Sequence, residues 1–180
     1  MTPDDLQRVI GLLKATFSHL ILDLSKSYSA LDRVALEMAD QILLVSQLDL
    51  PCLRNVVRQM SAFSETEGLS EKVKVIVNRA GIDQGEISLK KAQDTIGREV
   101  FWQIPNDFQV MVSARNNGVP LYEQSPKATI TQSISLLADA LSGGNPGDTP
   151  DPTTGGKTSL GRLLNIWGGK KGGKEVESNK

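Results

Sequence analysis

The 180-residue chain has a single cysteine, Cys52, and a single histidine, His19. It therefore forms no internal disulfide and no Cys/His zinc cluster. Aromatic residues make up only 4% of it, so its interior is expected to be aliphatic. No stretch approaches the roughly 20 consecutive apolar residues that span a bilayer. The opening Met1-Thr2-Pro3-Asp4-Asp5 lacks the basic flank and apolar run of a signal peptide. Synthesis and residence in the cytoplasm are expected, and a reduced, buried Cys52 agrees with that compartment. Neither charge sign is in excess: 20 Lys and Arg face 21 Asp and Glu, a formal net charge of −1. That balance does not favour a nucleic-acid-binding surface, so no nucleic-acid partner is expected.

What is present fits one domain with an appendage. Residues 1 to 141 carry 14 basic and 17 acidic side chains, and residues 142 to 180 carry 6 and 4 with 10 of the 16 glycines. The second segment has too little apolar surface to offset its backbone entropy. Gly143-Gly144-Asn145-Pro146-Gly147 and Pro150-Asp151-Pro152 read as linker, and the rest as a basic, disordered tail. Within the tail, Leu160, Leu163, Leu164 and Trp167 are interleaved with Arg162 and followed by Lys170 and Lys171. Residues 160 to 171 could thus lie as a weak amphipathic helix on an anionic membrane surface.

The body alternates two hydrophobic periods. Thr2, Pro3 and the acidic pair behind them supply a cap, a first-position proline and first-turn acid, with Leu6, Val9, Ile10 and Leu13 at helical spacing. This predicts a helix over about residues 3 to 16. Short apolar runs predict four strands: His19 to Leu24, Gln41 to Ser46, Val73 to Val77 and Val100 to Ile104. Between and after them, helical patterns run through Leu31 to Met38, Leu53 to Phe63, Ile87 to Ile96, Phe108 to Val112 with a stop near Gly118, and Ile130 to Leu141. Strands alternating with helices predict an α/β fold with a helix-covered, mainly parallel sheet.

In such sheets ligands bind beyond the carboxyl ends of the strands. The residues to inspect are Asp23 to Ser27, Gln47 to Asp49, Asn78-Arg79 and Pro105-Asn106-Asp107. His19 has no catalytic partner nearby and reads as packing, while Cys52 reads as a small buried hydrophobe.

The runs Leu20 to Leu24, Ala39 to Val45, Val77-Asn78-Arg79, Ile104 to Asp107 and Asn117 to Leu121 occur in an ordered set with plausible spacing. In this order they resemble the second half of a MinD/ParA-type ATPase. Leu48 to Asn55 and the Ile-Pro-Asn-Asp turn resemble most the CpaE/TadZ pilus-assembly branch. The resemblance covers residues 1 to 141 and implies a partial P-loop NTPase domain of the SIMIBI type lacking its P-loop strand. It implies ATP and magnesium as cofactors. Asp23 would match the acidic residue ending the Walker B strand, which orients water around magnesium. Asn78 would match the side-chain amide that reads adenine. Arg79, Pro105, Asn106 and Asp107 would lie along the base, although Asp107 equally suits a helix cap.

The resemblance also implies a homodimer of the complete protein and a place at the inner membrane or cell pole, positioning Flp (type IVb) pilus or related secretion machinery. Partition or septum positioning is the alternative within the superfamily. A receiver-like phosphoacceptor domain, a different class of protein, is a further alternative, with Asp23 and Ser46 as two of its parts. No glycine-rich lysine turn precedes residue 19, and Thr154-Gly155-Gly156-Lys157-Thr158 lacks both the first glycine and a strand before it. Ser25, Lys26 and Ser27 replace the proline and glycine that often follow the aspartate. The opening is therefore expected to correspond to the middle of a longer protein, and unaided hydrolysis is not expected. In the resembled fold the missing strand lies between the runs ending at Asp23 and Val45. Two central edges would then be left unpaired.

Overall fold

A computed structural model describes residues 1–25, 28–82 and 87–143. The linker and tail expected over 142–180, the Thr154–Thr158 lookalike and the 160–171 amphipathic segment lie outside the described residues, apart from 142 and 143.

Three strands form one sheet in the order β1 (Ile42–Ser46), β2 (Val73–Ala80), β3 (Val100–Pro105), all parallel. Parallel neighbours need crossovers, and α3 (Leu50–Ser64) and α4 (Leu89–Ile96) supply them. The register pairs Ile42 with Val73, Leu44 with Val75 and Ser46 with Val77, so these six side chains share one face. On that face Ile42, Val73 and Val75 join Leu36, Phe63 and Leu69 in the main core, with Met60, Tyr28 and Ile96 packed around them. The opposite face carries Ile76 and its ladder partner Trp102, and α7 (Thr129–Leu141) lies there. Trp102 Nε1 donates to Ser133 Oγ of α7 at 3.1 Å, which satisfies the indole as it is covered.

Local chemistry sets the helix boundaries. Thr2 and Asp5 form a reciprocal capping box at the start of α1 (Pro3–Thr16), and Ser29 and Asp32 do the same for α2 (Ala30–Met38). Asp49 and Asp107 accept from the third residue beyond them and open α3 and α5 (Phe108–Asn117). Gly118 closes α5 at φ 63°, a left-handed conformation that a residue with a Cβ resists. A short α6 (Leu121–Gln124) and a 3₁₀ turn (Ser70–Lys72) carry no periodic signal long enough to be read from sequence.

The fourth strand is the correction. Residues 19 to 24 belong to no helix, turn or ladder, and Ile21 is 92% exposed. An apolar run becomes a strand only by pairing, and no strand of the described residues pairs with it. The segment is tied at its end, and the helix before it is anchored to the end of α2. Lys14 Nζ, near the end of α1, donates to the Met38 carbonyl at 3.0 Å and pairs with Asp40 at 3.1 Å. Ser25 Oγ donates to Asp32 Oδ2 at 2.9 Å. Cys52 is half-buried, not buried, because it opens α3 beside its cap. His19 is exposed and its ring meets only Ser18 Oγ, at 3.1 Å.

Candidate functional site at the carboxyl rim of the sheet

Because the three strands are parallel, Ser46, Ala80 and Pro105 end on one rim. Two strand ends are linked there. The regular ladder breaks between Val77 and Ala80, where β2 has one residue more than β3, and Asn78 and Arg79 lie in that break. Arg79 adopts φ 58°, an uncommon conformation for a long side chain, and such strain collects at functional positions. Asn78 Oδ1 accepts from the Arg79 backbone N–H at 2.9 Å, and Arg79 Nε donates to Asn106 Oδ1 at 3.4 Å. The Asn106 N–H donates to the Ala80 carbonyl at 2.9 Å, and Ala80 pairs with Pro105. Asn78, Arg79, Pro105 and Asn106 are thus one connected edge.

The remaining rim residues are used locally. Asp107 Oδ1 accepts from the Val110 N–H at 3.2 Å and caps α5. Asp49 Oδ1 accepts from the Cys52 N–H at 2.8 Å. Ser46 is buried and its hydroxyl donates to the Gln47 carbonyl at 3.2 Å. An open, mostly apolar groove runs along α5 past Phe108, Met111 and Val119.

Asp23 stands apart. It is exposed, on the unpaired segment, and makes no side-chain hydrogen bond or ion pair among the described residues. Among those residues no three His, Cys, Asp or Glu side chains come together as a metal cage. The connected edge suits a heterocyclic base. The Asn78 amide keeps its NH₂ for a ring acceptor once its oxygen is used by Arg79, and the strand ends supply flat backbone. The metal side is not assembled in the same way: Asp23 makes no hydrogen bond or ion pair to this edge among the described residues, and one carboxylate would hold magnesium mainly through water.

Sequence reasoning named the edge residues and missed the latch between them. Its only trace is Asn78 itself, the residue type that tolerates positive φ, yet the left-handed backbone falls on Arg79.

The chain has the fold of part of a MinD/ParA-type ATPase structure. The sequence is similar to the septum site-determining protein MinD of Thermotoga maritima, 24% identical over 147 residues, covering 79% of this chain and 54% of that protein. A ParA family ATPase from Chlorobium tepidum superposes with a TM-score of 0.71 at 23% identity, over 78% of this chain and 57% of that one. MinD of Pyrococcus horikoshii, solved with Mg-ADP, superposes with a TM-score of 0.65 at 23% identity, over 78% and 56%. MinD in the MinC:MinD complex of Aquifex aeolicus superposes with a TM-score of 0.67 at 21% identity, over 86% and 64%. The chain spans about half the length of the MinD relative it matches. No family model matches it. No helix of the described residues is long and apolar enough to cross a membrane.

Proposed function

We propose that this chain is the base-binding half of a MinD/ParA-type ATPase that positions other assemblies in the cell. The observation that carries the reading is the hydrogen-bonded edge of Asn78, Arg79 and Asn106 at the carboxyl rim. In it, the Asn78 NH₂ donates to a ring nitrogen of adenine, and Pro105 and Asn106 flank the base. Asp107 holds the loop by capping α5, and Arg79 fixes the turn by bridging the two strand ends. Asp23, exposed and apart from this edge, would hold water on magnesium in the Walker B-like role, and the metal would supply charge neutralisation at the phosphates. The phosphate-cradling turn is not in this chain's body, so binding by the chain is weak and hydrolysis negligible.

The finer reading is that the assembly positioned is Flp pilus or related secretion machinery, at the pole or inner membrane, through a homodimer of the complete protein. Leu48 to Asn55 and the Ile104 to Asp107 turn support it, with residues 160–171 as a weak membrane-surface contact. The similarity to a septum site-determining protein supports a second reading, positioning of the division site. A fluorescently tagged full-length protein separates the two, by polar or mid-cell foci.

The nucleotide reading is tested by equilibrium binding of a fluorescent ATP analogue with magnesium. Saturable binding is expected, weakened about tenfold by Asn78→Ala, which corresponds to about 1.4 kcal/mol. No saturable binding, or binding indifferent to Asn78→Ala, contradicts it.

A further inference from the structure

We propose that residues 160–167 of this chain dock as a short helix in the apolar groove along α5, holding the tail's apolar stripe against its own domain. The groove lies on the helix that follows β3, at the edge of the sheet away from β1. Its exposure is therefore independent of the strand that lies beside β1 in the resembled fold. Phe108, Met111 and Val119 are 63%, 44% and 37% exposed, and Val112, Pro120 and Leu121 complete the lining. Of α5 only Ala114 is fully buried, although Phe108, Val110, Met111 and Val112 are apolar. From Phe108 to Leu121 the one charged residue is Arg115. A contiguous apolar surface of this kind marks an interaction site.

Residues beyond α7 supply the occupant. Within 144–180 the large apolar side chains are Leu160, Leu163, Leu164, Ile166, Trp167 and Val176. Leu160, Leu163, Leu164 and Trp167 recur at the spacing of one helical stripe. So short a helix is not stable alone in water and needs an apolar surface to form on. The lengths match: ten helical residues of α5 span about 15 Å, and eight of the tail about 12 Å.

The tail is also tethered within reach. Gln41 Nε2 donates to the Leu141 carbonyl at 2.9 Å, which fixes the end of α7 to the body. Residues 144–159 extend to about 50 Å, more than the width of about 35–40 Å of a body this size. A tether of this length gives an effective concentration in the millimolar range, so a contact with a Kd of about 0.1 mM keeps the segment about 90% docked. The same stripe is the one read above as a membrane-surface contact, so groove and lipid exclude one another. Docking needs no nucleotide and stands apart from the base-site reading.

NMR relaxation and amide shifts of the ¹⁵N-labelled full-length chain, without lipid and at two protein concentrations, test it. Residues 160–167 are expected to show order parameters near about 0.85, the value of packed backbone, falling below about 0.6 in the Leu163→Glu, Leu164→Glu double variant. The double variant is also expected to shift the Met111, Arg115, Val119 and Leu121 amides and to leave β2 unmoved, which verifies the fold. Met111→Glu, at an exposed position of the groove, is expected to release the tail in the same way. High salt is expected to leave docking in place, because an apolar contact is not screened. Order parameters below about 0.6 for residues 160–167 in the wild-type chain overturn the proposal. So do double-variant shifts that fall away from α5, and docking that strengthens with concentration, which would place the tail in a second copy's groove.

Discussion

β2 and the 19–24 segment are both short aliphatic runs flanked by helices, and they meet opposite fates. β2 has a strand on each side, and Val75, Ile76 and Val77 are each 1% exposed. Among the described residues the 19–24 segment has no strand partner, and Ile21 stands 92% in solvent. Neighbours, more than composition, decide whether such a run becomes a strand, because each backbone group must find a partner outside its own segment.

That contrast can be broken at several points. Ile76→Ala, in the doubly paired strand beneath α7, is expected to cost about 2–5 kcal/mol, a large share of the stability of a small domain. Thermal denaturation would then begin near ambient temperature. Trp102→Phe keeps an aromatic ring but loses the pyrrole part of the indole with its bond to Ser133, and at least about 1 kcal/mol is expected in chemical denaturation.

Asp32 sharpens the comparison by tying the open segment to the packed half. Its carboxyl is held below the ordinary aspartate value of 3.8 first by the Ser29 N–H, then by the Ser29 hydroxyl, then by the Ser25 hydroxyl. A depressed folded value stabilises the fold at neutral pH, and that gain is lost as pH falls from about 3.8 through the lower folded value. Asp32→Asn should therefore lower the melting temperature at pH 7 and have little further effect below that window. Equal effects at both pH values would place the contribution in packing instead. The smallest effect is expected from Ile21→Ala: within about 0.5 kcal/mol, since the side chain is 92% exposed. A loss comparable to Ile76→Ala would mean that the segment is packed after all.

Much of this was legible in residues alone. The α1 boundaries followed from Thr2, Pro3 and the periodic Leu6, Val9, Ile10 and Leu13, because caps and periodicity are local. Three of four strands followed for the same reason. The 19–24 run carries the same local signal, so only the absent neighbour distinguishes it. At the rim, the strand-end positions of Asn78 and Asn106 were readable from topology. The Arg79 bridge depends on one inverted φ angle and an extra residue in β2, neither of which periodicity encodes.

The central claim is that the carboxyl rim is the base side of a nucleotide site. Titrating ¹⁵N-labelled chain with Mg-ATP tests it most directly. The account predicts saturable shifts of the Asn78, Arg79, Ala80, Asn106 and Asp107 amides, with residues 71–74 and 98–101 at the far ends of the strands unmoved. Shifts confined to that far end, or none at millimolar nucleotide, would contradict it.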